Sequence, residues 1–491
     1  MIQSGGVRRA LGLGEFRAWQ LLVVTLALAS SLTGPRLRST SRLRFDLPTA
    51  ATAKPLVRES PMSDKISAQR FHHVEYYCGD ARTTASRFMF GLGMELCAKS
   101  DQSTGNSVHA SYVVQSGDVR MLFTAPYGLG TSREFPGKSS SPFPGFDPSA
   151  VQQFHSKHGL AVKAVAIEVS DVQASFDAMI QNGGVSVTPP CEMRDELPLL
   201  LLQSDTTTPP PTTGVVKFAE LTLYGDVILR LVDTSKYSGS FLPNFQSVCE
   251  GNLAKLQGRR GSNNFGLTRF DHIVGNLWSL EPTLARLKAM TGFHDFAEFV
   301  AEDVGTVDSG LNSVVLANNN EFILLPLNEP TFGTRRKSQI QTYLEQNGGE
   351  GVQHIALSTN DIFYTMENMR SASPNGGFEF MERPSADYYV NLRRRLGASL
   401  SHEQYTKIEE LGLLADKDDQ GVLLQVFTKP VGDRATLFLE IIQRVGCIMP
   451  ADPMKGIAKE WQKPGCGGFG KGNFKDLFKS IEDYEATLKG I

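Results

Sequence analysis

The sequence predicts an α+β protein of two similar domains, each a pair of modules in which one strand and one helix precede antiparallel strands (βαβββ). Three observations lead to this prediction. At 491 residues the chain is longer than one hydrophobic core usually organises. Its 41% hydrophobic and 21% charged residues are typical of a globular protein. Four of its segments repeat the same order of patterns, which indicates an internal duplication.

Each repeated segment opens with a short apolar run that predicts a strand. The four runs are FHHVEYYCGDA from Phe71, VKAVAIEVSDV from Val162, FDHIVGNLWSL from Phe270 and VQHIALSTNDI from Val352. Apolar residues three or four positions apart then predict a helix in RTTASRFMFGLGM, VQASFDAMIQNGG, EPTLARLKAMTGF and IFYTMENMRSA. Alternating patterns such as ASYVVQSGDVRMLFTAP and NSVVLANNNEFILLPL predict antiparallel strands after the helices.

We expect three parts in the chain: a targeting leader at residues 1–62, a first domain at 64–249 and a second domain at 265–488. Apolar periodicity fades from about Glu250 to Asn264, as expected of a linker between the domains. The polar, proline-rich stretch from Gln203 to Gly214 predicts a surface loop.

The charge of the chain is unevenly distributed. The whole chain has a net charge of −3, but its first 45 residues hold seven arginines, no lysine and one acidic residue. This segment therefore carries +6, which leaves −9 on the remainder. Because nucleic-acid binding requires clustered lysines and arginines, the acidic body argues against a nucleic-acid partner.

The leader has two parts. Arg8 and Arg9 precede an apolar run from about Leu21 to Leu28, which is shorter than the roughly 20 residues of a membrane-spanning helix. A serine- and arginine-rich stretch follows it. This order predicts a signal-peptide core and a transit peptide, as import into a plastid bounded by extra membranes requires. A disordered basic tail, a single membrane anchor and a cytoplasmic location are the alternatives, and we expect no stable membrane insertion of the mature chain.

The cysteines predict free thiols in a reducing compartment. The six are Cys78, Cys97, Cys191, Cys249, Cys447 and Cys466. They form no Cys-x-x-Cys pair and are too sparse for a disulfide framework.

Aligning the modules reveals candidate metal ligands. The first strands place His73, Ala164, His272 and His354 at one shared position. Aligning the last strands of the two halves, GDVILRLVD and ATLFLEIIQ, places Arg230 opposite Glu440. The second half therefore offers two imidazoles and a carboxylate, whereas the first half offers one histidine, an alanine and an arginine.

Two histidines and one carboxylate on one face leave three positions of an octahedral metal open. Such a set suits Fe(II) that binds both an organic substrate and dioxygen. The alternative is that these are ordinary hydrogen-bonded core residues, which is the interpretation we favour for His73. Because 82 residues separate His272 from His354 and a further 86 separate His354 from Glu440, a local motif search does not detect the set.

At these residues the sequence resembles the 4-hydroxyphenylpyruvate dioxygenases of the vicinal oxygen chelate superfamily, in their plant-like form. The resemblance extends from about Phe71 to Leu488. It is carried by segments in both halves, among them FHHVEYYCGDA, FDHIVGN, GFHDFAEFVAEDVGT, KSQIQTYLEQNGGEGVQHIAL, LFLEIIQRVGC and GCGGFGKGNFKDLFKSIE. The leader, the proline-rich loop and the stretch from Met449 to Pro464 depart from the family pattern.

The resemblance implies a second domain that forms an open barrel around one Fe(2+), bound by His272, His354 and Glu440. Catalytic polar residues around the substrate would be Ser313, Asn328, Gln339, Gln353 and Gln425. Substrate-binding residues would be Pro326, Phe427, Phe438, Phe469, Asn473 and Phe474. Without the resemblance, ordinary hydrogen bonding is the favoured explanation of the polar residues, and core packing is the alternative for the phenylalanines.

The implied reaction converts 4-hydroxyphenylpyruvate and O2 into homogentisate and CO2 by decarboxylation, ring hydroxylation and migration of the side chain. It belongs to tyrosine and phenylalanine catabolism and to plastoquinone and tocopherol synthesis. The substrate supplies its own electrons, so no nicotinamide is needed, and no G-x-G-x-x-G or Walker loop lies between a strand and a helix. The family also implies a homo-oligomer, with a dimer as our expectation.

Two other functions remain open. A 4-hydroxymandelate synthase of the same family would share the ligands and the substrate, and a non-catalytic relative would only bind a small molecule. The segment GCGGFGKGN from Gly465 precedes a predicted helix with an apolar stripe. That stripe comprises Phe474, Leu477, Phe478, Ile481, Tyr484 and Leu488. We expect a C-terminal lid, the alternative being a permanently packed helix.

Overall fold

The computed structural model describes most of the chain beyond the predicted leader. The described residues are 60–128, 141–195, 214–248, 264–300, 310–332, 337–450 and 460–474, followed by 476, 479–481 and 484. Most of the predicted leader, linker and proline-rich loop therefore lies outside the described residues. Within these ranges no helix has both the length and the apolar character needed to span a bilayer.

The strands form two large sheets and one short hairpin. The first sheet contains β1 (Ala68–Tyr77), β2 (Glu95–Ser100), β3 (His109–Ser116), β4 (Val119–Pro126), β5 (Ala161–Val169), β6 (Ser186–Met193), β7 (Gly214–Tyr224), β8 (Val227–Tyr237) and β9 (Gln246–Ser247). Its strand order is β6-β7-β8-β5-β1-β4-β3-β2-β9.

The second sheet contains β10 (Leu267–Asn276), β11 (His294–Phe299), β12 (Leu311–Ala317), β13 (Leu324–Pro330), β14 (Gly351–Thr359), β15 (Leu414–Lys417), β16 (Gly421–Phe427) and β17 (Phe438–Gly446). Its order is β11-β12-β13-β10-β14-β17-β16-β15. The hairpin pairs β18 (Ile448–Met449) with β19 (Trp461–Gln462). The strands of the two sheets fall on either side of the predicted linker, although the domain boundaries themselves stay a prediction.

Four helices follow the first strands of the modules: α1 (Ala81–Leu92), α3 (Val172–Gln181), α4 (Leu280–Thr291) and α6 (Ile362–Ala372). All four predicted helices and all four predicted first strands are confirmed, and with them the α+β class. Four further helices were not predicted: α2 (Pro148–His158), α5 (Gln339–Asn347), α7 (Ala386–Leu396) and α8 (His402–Glu410). The last described residues, from Phe474 onward, are also helical.

Local residues explain where the module helices begin and end. Asp80, Asp171 and Asp361 each accept a hydrogen bond from a backbone N–H three residues ahead, which caps the free amides of the first turn. Helices α1 and α4 end at Gly93 and Gly292, whose φ angles of 62° and 75° lie in the left-handed region that glycine adopts most readily. These signals place each helix directly after its strand.

Both sheets repeat one pairing register, which confirms the internal duplication. In the first sheet Ala166 of β5 pairs with His73 of β1 and with Arg230 of β8. In the second sheet Ala356 of β14 pairs in the same way with His272 of β10 and with Glu440 of β17. Residues that the repeat alignment makes equivalent are therefore equivalent in space.

A buried arginine lies on β8 of the first sheet. The Arg230 guanidinium lies 2.7 Å from the Glu75 carboxylate and 2.8 Å from that of Glu220, and it donates to His73 Nε2 at 2.9 Å. Only 2% of the Arg230 side chain is exposed. Burial, then the charge of neighbouring side chains, holds the pKa of His73 well below its usual range, so the ring is neutral. As predicted, His73 is a hydrogen-bonded core residue.

The prediction that all cysteines are free thiols is wrong for Cys447 and Cys466, which form a disulfide. Strand β17 ends just before Cys447, and the β18–β19 hairpin returns the chain so that Cys466 lies 5.9 Å away between Cα atoms. The sequence pattern did not reveal this pairing because two-residue strands have no detectable periodicity. Cys78 and Cys191 are free thiols, and Cys249 lies outside the described residues.

Replacing Arg230 by Met should lower the free energy of unfolding by about 3–5 kcal/mol, because two buried carboxylates would lose their counter-charge. Urea unfolding followed by circular dichroism measures this loss. The control is Arg194→Met, which removes an exposed ion pair with Glu192 and should change stability by less than about 0.5 kcal/mol. Equal losses in both variants would contradict the structural role of Arg230.

Candidate metal centre

Three neighbouring strands bring the predicted ligands together. Ala356 of β14 pairs with His272 of β10 on one side and with Glu440 of β17 on the other. Paired residues project from the same face of a sheet, and so does His354, two residues before Ala356 on the same strand. The register alone therefore places all three side chains on one face.

The spacing of the three ligand atoms fits a single divalent ion. His272 Nε2 lies 3.1 Å and His354 Nε2 lies 3.4 Å from the same oxygen of Glu440, and all three ligand atoms lie within 4.8 Å of one another. Two donor atoms bound at about 2.1 Å and at right angles are about 3.0 Å apart, the edge of a metal octahedron. Two nitrogens and one carboxylate oxygen on one side of an ion form the facial set of non-haem iron sites.

Hydrogen bonds fix the tautomer of both histidines. His272 Nδ1 lies 2.9 Å from Asp271 Oδ2, and His354 Nδ1 lies 3.0 Å from Gln353 Oε1. Because carboxylate and amide oxygens only accept, each Nδ1 carries a hydrogen and donates it. Each Nε2 therefore presents its lone pair toward the ion position, as metal binding requires.

The charges at the centre favour a cation. Burial raises the pKa of Glu440, but the adjacent imidazoles of His272 and His354 outweigh burial and lower it to about 2. Glu440 is therefore ionised at neutral pH. Burial lowers the pKa of His354, while for His272 the Glu440 charge and the Asp271 hydrogen bond overcome burial and raise the pKa.

A cavity with an empty volume of about 670 Å³ lies beside the three ligands. Ten further predicted site residues line it: Ser313, Pro326, Asn328, Gln339, Gln353, Gln425, Phe427, Phe438, Phe469 and Phe474. Asn473 is not among the described residues that line it, and its substrate-binding role stays a prediction. Its side chain is buried, and its Oδ1 accepts from the Tyr388 hydroxyl at 2.9 Å and from Arg395 at 3.1 Å. Asn473 therefore links the final segment, which begins at Gly465, to helix α7.

Amide side chains form the polar part of the cavity. The Asn328 amide donates to Asn276 at 3.1 Å and lies 3.5 Å from Gln353, which also accepts from His354. Gln339 Oε1 is buried and has no hydrogen-bond partner among the residues that the structure describes. A buried unpaired acceptor costs free energy, so its place in a cavity wall points to a ligand donor. Helix α5, absent from our predictions, is the element that places Gln339 there.

Phenylalanines form the apolar part and contact the ligand rings. Phe438 stacks on the His354 imidazole with centroids 4.8 Å apart, and Phe427 meets the same ring edge-on at 6.1 Å. Phe469 meets the His272 ring at 5.2 Å, and Phe474 lies 5.2 Å from Phe299. A flat aromatic ligand would find offset and edge contacts on several sides.

Comparison with curated proteins places the chain in a family. It is 53% identical over 433 residues to the 4-hydroxyphenylpyruvate dioxygenase of Daucus carota, covering 88% of this chain and 91% of the relative. The protein of the same name from Arabidopsis thaliana is 50% identical over 439 residues, covering 88% and 92%. The chain belongs to the 4-hydroxyphenylpyruvate dioxygenase family. A fungal member from Pyricularia oryzae is 35% identical over 425 residues, covering 85% and 90%. No family model matches the chain.

Solved structures share the fold of this family member. A mutant 4-hydroxymandelate synthase from Streptomyces coelicolor superposes with a TM-score of 0.63 at 22% identity, covering 86% of this chain and all of that one. A fusion of a xylose isomerase-like TIM barrel with 4-hydroxyphenylpyruvate dioxygenase gives a TM-score of 0.54 at 18% identity, covering 87% and 54%. At these identities the likeness shows the architecture alone.

Several residues that line the cavity of this family member were not predicted. They are Val274, Phe299, Leu311, Val315, Ile442, Gly470 and Ile481. Strand periodicity could have found four of them, because Val274 and Ile442 follow ligands by two positions, and Leu311 and Val315 flank Ser313 by two. The others required the tertiary fold.

Replacing Gln353 by Leu should weaken Co(II) or Fe(II) binding about 10–100-fold, because the His354 Nδ1–H loses its acceptor and the ring its orientation. Anaerobic titration with metal analysis measures the affinity. Gln425→Leu is the matched control, since Gln425 lines the same cavity and, among the described residues, bonds to neither histidine. If both variants bind metal equally well, the orienting role of Gln353 is wrong.

Proposed function

We propose that this protein is a 4-hydroxyphenylpyruvate dioxygenase that binds one Fe(II) per chain through His272, His354 and Glu440. It converts 4-hydroxyphenylpyruvate and O2 into homogentisate and CO2, a reaction of tyrosine catabolism. The observation that carries this proposal is the convergence of two lone-pair imidazole nitrogens and one ionised carboxylate on a cavity. Membership of the family supports the substrate and the product.

Bound Fe(II) would supply the redox and Lewis-acid chemistry that allows a 2-oxo acid to react with dioxygen. The protein supplies a site that leaves the cavity side of the ion open. No lysine or arginine is among the residues that line the described cavity. The metal is therefore the natural counter-charge for the substrate carboxylate, which favours binding of the acid end at the metal.

The cavity walls would orient the rest of the substrate. Gln339 offers its unpaired Oε1 to a donor, and the phenol hydroxyl is the donor at the far end of 4-hydroxyphenylpyruvate. Ser313, Asn328 and Gln425 add polar groups without a fixed charge that would compete for the metal. The ring would lie among the phenylalanines, where each aromatic contact contributes about 0.5–1.5 kcal/mol.

The final segment would keep water out of the site. Phe469, Phe474 and Ile481 line the cavity from this segment, so its position determines whether the cavity is closed. Water exclusion protects reactive species and strengthens electrostatic interactions. We therefore propose residues 265–488 as the catalytic domain with a C-terminal lid, and residues 64–249 as a domain without metal.

Incubation of the Fe(II)-loaded protein with 4-hydroxyphenylpyruvate and O2 should give homogentisate and CO2 in equal amounts. Glu440→Ala should abolish turnover because the charged ligand is lost, while circular dichroism shows the fold retained. Chromatography of the products with oxygen-uptake measurements tests both. Hydroxymandelate as the product would identify a 4-hydroxymandelate synthase. The absence of both metal binding and oxygen uptake would identify a non-catalytic binding protein.

We also propose that residues 1–62 form a plastid-targeting leader removed on import, which the charge of +6 on its first 45 residues supports. Mass analysis of the protein isolated from its own cells should find an N-terminus well beyond Met1. An intact Met1 would contradict removal, and fractionation to the cytoplasm would contradict plastid import. The homodimer implied by the family stays a prediction.

A further inference from the structure

A fully buried arginine lies between the metal ligands and the final segment. Arg444 follows Glu440 by four residues on β17, and its side chain is 0% exposed. Its Nε and one terminal nitrogen donate to both oxygens of Asp271 at 2.9 and 2.8 Å. The same Asp271 accepts from Nδ1 of the metal ligand His272. The Arg444 guanidinium is therefore linked to the ligand His272 through the Asp271 carboxylate.

The other edge of this guanidinium holds the final segment. The second terminal nitrogen of Arg444 donates to the backbone carbonyls of Cys466 and Gly468, both at 2.6 Å. The guanidinium carbon Cζ of Arg444 lies 5.5 Å from the centre of the Phe469 ring. The centre of that ring lies 5.2 Å from the centre of the His272 ring. Arg444 thus contacts both the segment Gly465–Gly470 and Asp271, the residue that hydrogen-bonds His272.

The first half of the chain lacks this arrangement. By the shared register, His72 stands where the second half has Asp271, and Thr234 stands where it has Arg444. The sheet therefore forms without the pair. A buried ion pair contributes little net stability because desolvation of both charges opposes their attraction. The presence of the pair only in the metal-binding half points to a role at the site.

We propose that Arg444 is a positioning residue that couples metal binding at His272 to the order of the segment Gly465–Gly470. Metal on Nε2 fixes the His272 ring, the ring fixes Asp271, and Asp271 fixes the guanidinium that holds the two carbonyls. Coupling is reciprocal, so a well-ordered segment also raises the affinity for metal. This inference rests on the proposed metal site but requires neither the proposed substrate nor turnover.

Hydrogen exchange of the unmodified full-length chain, with its disulfide intact and without substrate, is the first test. Binding of Co(II) should slow exchange of the backbone amides from Cys466 to Gly470 by a factor of about 5–150, the usual range of coupling between sites. Mass spectrometry of peptides with and without Co(II) measures this. If Co(II) binds and these amides exchange unchanged, the proposal is overturned whatever any variant does.

Arg444→Lys is the second test. Lysine keeps the charge but cannot bind a carboxylate bidentately and two carbonyls together. We expect Co(II) affinity to fall about 10-fold or more, within the range for residues that support a ligand, and metal-dependent protection of the segment to disappear. A purely structural role would lower stability without removing the dependence of protection on metal.

Arg269→Lys is the matched control. Arg269 also contacts Asp271, at 3.3 Å, and among the described residues it contacts the Phe270 carbonyl and the Phe322 ring. This variant should keep both the affinity and the protection. The proposal is overturned if Arg444→Lys keeps the Co(II) affinity and the metal-dependent protection of the unmodified protein. It is also overturned if the two variants lose affinity and protection equally. Because no assay here uses 4-hydroxyphenylpyruvate, a failure of the proposed reaction would be seen separately.

Discussion

One row of backbone pairing determines the whole metal centre. His272, Ala356 and Glu440 lie side by side on three hydrogen-bonded strands. Each neighbouring pair of these residues is 84 positions apart in sequence, and the outer two are 168 apart. Because side chains alternate between the two faces of a sheet, a slip of one residue in either pairing would move a ligand to the opposite face. The helices and the remaining strands act on the site by holding this register.

The same row in the first half shares the pairing register but carries a different set of side chains. Arg230 there brings a positive charge to the position where Glu440 brings a negative one. The buried cation is balanced by Glu75 and Glu220 and bonds to the retained His73. The carboxylates of this half are thus paired with an internal cation, whereas Glu440 in the second half belongs to a group that could hold a metal ion.

Support for the ligands comes from residues adjacent to them in sequence. Asp271 directly precedes His272, and Gln353 directly precedes His354, and each accepts the Nδ1 hydrogen of the histidine that follows it. The two acceptors differ in charge. The Asp271 carboxylate, itself held by Arg444, raises the basicity of one ligand, while the Gln353 amide links the other to the polar wall of the cavity.

The sequence by itself determined the α+β class, the four modules with their helices and the three candidate ligands, because periodicity and an internal repeat are local or self-comparing signals. Family resemblance added ten residues that the structure places in the cavity wall. Only the tertiary structure decided that Cys466 returns to Cys447, that Asn473 bonds to helix α7 and that Arg444 reaches two distant segments. These contacts depend on how a hairpin, a helix and a glycine-rich turn close over the sheet, and such long-range geometry has no signature in the residues on either side.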